Sequence, residues 1–128
     1  MTLVDTSVWV DYRRGDPRTL PLADLLDGNE VVVHPFVQGE LALSGLGPST
    51  NLVSLAALPT IPMVPHAEVV TLVTRRLLRG TGIGWLDAHL VASALASGAT
   101  LWTHDRRLET VAIRVGIAHE AVPPTTGC

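Results

Sequence analysis

The 128-residue chain contains no lysine, and its only cysteine is Cys128. All nine basic residues are arginine, so reaction schemes that need a lysine ammonium or amine are excluded. One cysteine cannot form an internal disulfide, which fits a reducing compartment. A long clean apolar run is also missing. A helix needs about 20 consecutive apolar residues to span a bilayer. The nearest candidate is the uncharged stretch between Glu40 and Glu68, but Pro48, Pro59, Pro62 and Pro65, with Gly45 and Gly47, divide it into short elements. No basic stretch followed by an apolar run opens the chain, so no secretory signal and no membrane association are expected, and the cytoplasm is the expected location. The net charge of -3 argues against a uniformly basic nucleic-acid surface and leaves room only for a local basic rim.

The length suits one domain, and residues 1–128 are expected to form it. A chain of this size buries roughly two thirds of the surface its unfolded form exposes, enough for a core without metals or disulfides. Residues after about 122, which include Pro123 and Pro124, read as a loose tail. Apolar, β-favouring runs occupy residues 2–5, 30–34, 60–64 and 99–103, with a weaker fifth at 117–121. Helical patterns lie between them at 7–13, 20–27, 36–44, 49–58, 67–78, 86–96 and 106–115, with Gly28, Gly98 and Gly116 as helix-ending residues. The strand runs are continuously apolar and do not alternate, as in strands covered on both faces. The reading is α/β: a three-layer sandwich with a central parallel sheet of four to five strands and helices on both faces.

Eight of the twelve acidic residues (Asp11, Asp16, Asp24, Asp27, Glu30, Glu68, Glu109 and Glu120) are expected to face water. The other four stand in unusual places. Asp5 ends the run Leu3-Val4, and Asp105 follows Leu101-Trp102-Thr103; each sits where a strand hands over to a helix. Asp is a favoured N-cap, which is one reading of both. The other is that they converge beyond the carboxyl ends of neighbouring parallel strands, where open α/β sheets bind ligands. Asp87 continues the apolar stripe of Leu90, Val91, Ala94 and Leu95 at the N-terminal edge of its helix, where desolvation is costly without a cation. Glu40 lies on a helical face shared with Phe36, Val37 and Leu41. Four carboxylates in one pocket do not stay ionised together without a cation, and oxygen-only ligands select hard ions such as Mg²⁺ or Mn²⁺. The histidines His34, His66, His89, His104 and His119 lack close ligand spacing, which disfavours zinc; His89 and His104 read as surface residues or as supports behind the acidic pocket.

With these residues in place, the sequence resembles the PIN-domain ribonucleases, and more narrowly the VapC toxins of bacterial type II toxin–antitoxin pairs. The resemblance spans nearly the whole chain and is strongest in VDTSVWVDYRRG and in GIGWLDAHLVASALASGATLWTHDRRL, with VQGELALSG between them. It matches Asp5, Glu40, Asp87 and Asp105 to the family's four acidic positions, and Thr6 or Ser7, with Thr103, to its hydroxyls beside the metal. It implies Mg²⁺- or Mn²⁺-dependent hydrolysis of RNA, transfer or ribosomal, with one ion or two. Asp5 and Asp87 are the expected direct ligands, Asp105 completes the metal shell or holds a ligating water, and Glu40 orients or deprotonates the nucleophile. It also implies a homodimer and a VapB-type antitoxin. Arg13, Arg14, Arg106 and Arg107 read either as a rim for RNA phosphates or as solvated faces. The apolar segment from Leu52 to Leu58 reads either as a core helix or as a docking surface for the antitoxin or a second copy. The rival functions are a non-catalytic protein-binding module of the same fold and a phosphoacceptor signalling domain, the latter disfavoured because it needs a lysine.

Overall fold

A computed structural model describes residues 1–45, 55–76 and 78–120. Three strands, β1 (Thr2–Val4), β2 (Val31–Val32) and β3 (Thr100–Trp102), form a parallel sheet in the order β2-β1-β3. Thr2 pairs with both Val31 and Thr100, and Leu3 with both Val32 and Leu101, so β1 is central. The sheet is extended at each edge by one parallel bridge, Val33 with Thr60 and Leu101 with Ala118. The expected strands at 60–64 and 117–121 are therefore single points of pairing. At the first edge, Val33 N–H donates to Pro59 O and Ile61 N–H to Val33 O, after which Pro62 has no N–H to offer. The five paired segments run in the order Thr60, β2, β1, β3, Ala118, which keeps the expected parallel architecture and reverses direction at β1.

Among the described residues six helices flank this sheet: α1 (Thr6–Arg13), α2 (Leu20–Asp27), α3 (Pro35–Leu43), α4 (His66–Arg75), α5 (Trp85–Ser97) and α6 (Arg106–Arg114). Successive strand side chains point to opposite faces, yet Leu3 and Val4 are both fully buried, so both faces of β1 are covered. One core joins Leu3, Val4, Val8, Val31, Val33, Leu90, Val91, Leu101 and Leu108. Of the helix expected at 49–58, the described part is a 3₁₀ turn, Leu55–Ala57, with Leu55 buried; residues 49–54 and the tail after 120 lie outside the described residues. No helix among the described residues is long and apolar enough to cross a membrane.

His34 links the sheet to α3. It is fully buried at the end of the second strand segment, and its Nδ1 accepts from Phe36 N–H at 3.0 Å, which caps α3. That bond fixes the neutral tautomer with the proton on Nε2, an atom buried without a partner. Burial, with a smaller contribution from His89, pushes the imidazole down to about 4. Because the folded value lies below the unfolded one, its contribution to stability is complete above about pH 6.5 and is lost as pH falls towards 4. Replacing His34 by Asn keeps a capping side chain and removes the titration. Relative to that variant, the wild type is expected to lose about 2–3 kcal/mol between pH 7 and pH 4 in urea unfolding, and an equal pH dependence of the two proteins would contradict this reading.

Candidate active site

Because β1 and β3 are adjacent and parallel, the residues that follow them emerge side by side. Asp5 N–H donates to Trp102 O at 2.9 Å and extends the ladder by one rung. Asp5 occupies the N-cap position of α1, but its side chain does not cap that helix. Its Oδ2 instead accepts from Ser7 Oγ and from Thr103 Oγ1, each at 2.8 Å. The two hydroxyls lie 3.3 Å apart and accept in turn from the next turn of chain, Ser7 Oγ from His104 N–H and Thr103 Oγ1 from Asp105 N–H, both at 3.0 Å. One network therefore ties the end of β1 to the end of β3. Asp5 is 7% exposed, so the hydroxyls supply what water no longer can.

The other three acids are held differently. Asp105 caps α6, its Oδ1 accepting from Arg107 N–H at 2.9 Å and Leu108 N–H at 3.1 Å. The capping reading is thus correct for Asp105 and fails for Asp5. Glu40 projects from α3, and its Oε1 accepts from Thr6 Oγ1 at 3.0 Å, which joins α3 to the first turn of α1. Asp87, in the first turn of α5, has one long contact, Gly84 N–H to Oδ2 at 3.4 Å. Among the described residues each acid has one carboxylate oxygen in a hydrogen bond, a long one for Asp87, and the other in none. Asp87 also registers its neighbours: burial, then the charge of Asp5 and more weakly those of Asp105 and Glu40, push its carboxyl up to about 6, against the opposing effect of the Gly84 N–H. The four acids thus share one electrostatic environment. Among the described residues no three acidic, histidine or cysteine side chains stand close enough to hold an ion together, so the four carboxylates do not form a closed cage. Their all-oxygen donor set, with one uncommitted oxygen each, fits a hard divalent cation.

Of the four arginines considered from sequence, two, Arg106 and Arg107, directly follow Asp105 in the chain and open α6. Arg107 lies across Gly82 in the loop before α5, so closely that a Cβ there would stand 2.8 Å from its Cδ. Arg13 and Arg14 sit at the far end of α1, roughly 12 Å along the helix from Asp5, beside Val10 and Ser44. Thr6, Ser7 and Thr103 all touch an acid, as described. Asp11, expected to face water, instead meets His104 Nδ1 at 2.6 Å and Arg18 Nη2 at 3.1 Å. A signal for it was present, since Asp11 lies one helical turn after Ser7, which holds His104 through the backbone. His104 is half-buried in this contact, and His89 is buried against Phe36 and Trp85, so neither is a surface residue.

Residues 2–114 match the PIN-domain family. The chain is 45% identical over 121 residues to ribonuclease VapC32 of Mycobacterium tuberculosis, found in two strains, with 92% of this chain and 95% of the relative covered. The crystal structure of PAE2754 from Pyrobaculum aerophilum superposes with a TM-score of 0.56 over 90% of this chain and 94% of that one; at 17% identity the likeness is one of fold. The extent of the family match and the identity to VapC32 place the chain in the PIN-domain family, among its VapC-type ribonucleases.

Proposed function

We propose that the chain is the endoribonuclease toxin of a toxin–antitoxin pair, hydrolysing RNA phosphodiester bonds with Mg²⁺ or Mn²⁺ at the pocket formed by Asp5, Glu40, Asp87 and Asp105. The observation that carries this reading is the common pattern of the four acids: each has one oxygen in a hydrogen bond and the other in none among the described residues, and two of them, Asp5 and Asp105, follow the adjacent strands where the sheet order reverses. A bound divalent cation supplies an acidified water and neutralises charge on the phosphate. Asp5 and Asp87 would hold it directly, and Asp105 would hold a ligating water through the oxygen that its cap leaves over. Ser7 and Thr103, by donating to the Asp5 carboxylate, hold it in one orientation. Glu40, steadied by Thr6, accepts the proton of the attacking water as the new P–O bond forms and the RNA P–O bond breaks, and the leaving ribose oxygen takes a proton from solvent.

Arg106 and Arg107 meet the substrate phosphates that an acidic pocket would otherwise repel. The family resemblance supports transfer or ribosomal RNA as substrate, a VapB-type antitoxin laid over the acidic pocket, a homodimer, and a single domain working in the cytoplasm, where such RNA lies.

Asp5→Asn is expected to lower Mn²⁺-dependent cleavage of RNA by at least about a hundredfold, since it weakens a ligand at the centre of the network. Wild-type rates in the variant would instead favour a protein-binding module with an inert acidic pocket. The Arg106→Ala, Arg107→Ala double variant is expected to bind RNA more weakly, with a salt dependence shallower by about 0.7 for each phosphate that is no longer neutralised; an unchanged slope would remove both arginines from the interface. The crowding of charge has its own signature. Asp87 has a folded value above its unfolded one, so in metal-free protein its ionisation opposes folding as pH rises through about 6. Asp87→Asn is therefore expected to raise the metal-free melting temperature at pH 7 by about 4–8 °C, equivalent to about 1–2 kcal/mol, with the gain vanishing below about pH 4 while cleavage is abolished. A lower melting temperature in the variant would contradict mutual repulsion at this site.

A further inference from the structure

Among the five Phe, Trp and Tyr residues, one ring faces solvent. Trp9 and Trp102 are 3% and 5% exposed, Phe36 and Tyr12 are half-buried, and Trp85 is 41% exposed. Trp85 is the first residue of α5, two before Asp87. It is braced from two directions. The His66 ring at the start of α4 lies 4.9 Å from it between centroids, and His89, one turn further along α5, meets it perpendicularly at 5.0 Å. His89 packs in turn on Phe36 at 5.0 Å and on the fixed, buried His34 at 6.4 Å. Phe36 stands one turn before Glu40 on α3. Both helices that deliver an acid from their own body, α3 and α5, thus carry a ring just ahead of it, and the rings meet through His89. The row runs from the core at His34 to the surface at Trp85 and His66.

The hollow beside Trp85, about 140 Å³ between α4 and α5, is lined by Val73, Leu78, Ile83, Gly84 and Ala88 without any charge. An occupant here is recognised by a flat, polarisable face and not by its charge. The indole loses little freedom when covered, because its neighbours already hold it. An unpaired nucleobase has that face, and the substrate strand supplies one next to the phosphate at the carboxylates. Bases in a duplex are stacked on each other and are not available, so such a platform favours single-stranded or looped RNA.

We propose that Trp85, held by His66 and His89, is a stacking platform for an unpaired base of the substrate RNA next to the cleaved bond. The proposal rests on the ribonuclease reading above and adds a determinant of substrate class. The test uses the full chain in the Asp5→Asn background, so that the strand is not cut, with a labelled single-stranded oligoribonucleotide and a duplex of the same length. Trp85→Leu keeps apolar bulk and removes the ring; it is expected to weaken single-strand binding about tenfold to a hundredfold and to leave duplex binding unchanged. Trp85→Phe is expected to retain most of the affinity, which separates stacking from packing. In the Asp5→Asn parent, the single strand quenches tryptophan fluorescence, since the other two indoles are buried. Equal binding by the Leu variant, an equal loss with duplex, or dissociation of a dimer by the Leu variant in sedimentation would each overturn the platform, the last by assigning the surface to a second copy. Failure of the wild type to cleave RNA with Mn²⁺ would overturn the ribonuclease reading itself; cleavage by wild type with no effect of Trp85→Leu would overturn the platform alone.

Discussion

The structure turns on a buried carboxylate oxygen that accepts two hydroxyl groups. Asp5 Oδ2 takes its hydrogen bonds from Ser7, two residues away on α1, and from Thr103, which lies 98 positions further along the chain. The same two hydroxyls accept the backbone N–H groups of His104 and Asp105. Two strand ends, two helix starts and two acids are thereby held in one arrangement. A buried ionised carboxylate without such partners would cost several kcal/mol or take up a proton. Ser7 and Thr103 supply those partners to one oxygen of Asp5, and the other oxygen has no hydrogen bond among the described residues. The precision of the site depends on this network more than on the wider core, because the network connects the two segments that carry Asp5 and Asp105.

Around this fixed centre the remaining acids are placed by elements with separate structural reasons to exist. Asp105 begins α6, Asp87 begins α5, and Glu40 is turned inward by Thr6. Each contact is of a kind that helices make anyway, and it is their sum that concentrates negative charge. Burial first, and then the charges of Asp5, Asp105 and Glu40, displace the Asp87 carboxyl upward. A half-buried acid displaced upward beside other carboxylates is a frequent feature of functional sites. The Arg107 side chain, two residues after Asp105, lies on Gly82 at φ +82°, in the loop before the helix that carries Asp87. A side chain at that glycine would face both the strained backbone conformation and the arginine.

Much of this was legible in the sequence, for reasons that differ by residue. Continuous apolar runs at Leu3-Val4 and Leu101-Trp102 revealed strands covered on both faces, and the acid directly after each run pointed to the strand-end crevice. The outer strands were harder to judge, because apolar character at 60–64 persists where Pro62 ends the pairing. Asp87 was legible from its alignment with a buried helical stripe. Asp11 was not recognised, because its partner His104 is distant in sequence and periodicity reports the helix face without saying what covers it. The row from His34 to Trp85 was hidden for the same reason: its rings come from the junction before α3 and from α3, α4 and α5, and become neighbours only in the fold. Local patterns reveal elements and unusual placements, whereas pairings across the chain require the topology.

The central claim is that Asp5, Glu40, Asp87 and Asp105 act as one pocket for a divalent cation. Calorimetric titration of Mn²⁺ into the full chain tests it most directly. The account expects saturable binding in the wild type, abolished by Asp5→Asn and by Asp87→Asn and weakened by Asp105→Asn, with all variants folded. Unchanged Mn²⁺ affinity in Asp5→Asn would show that the carboxylate at the centre of the network holds no cation, and would contradict the account.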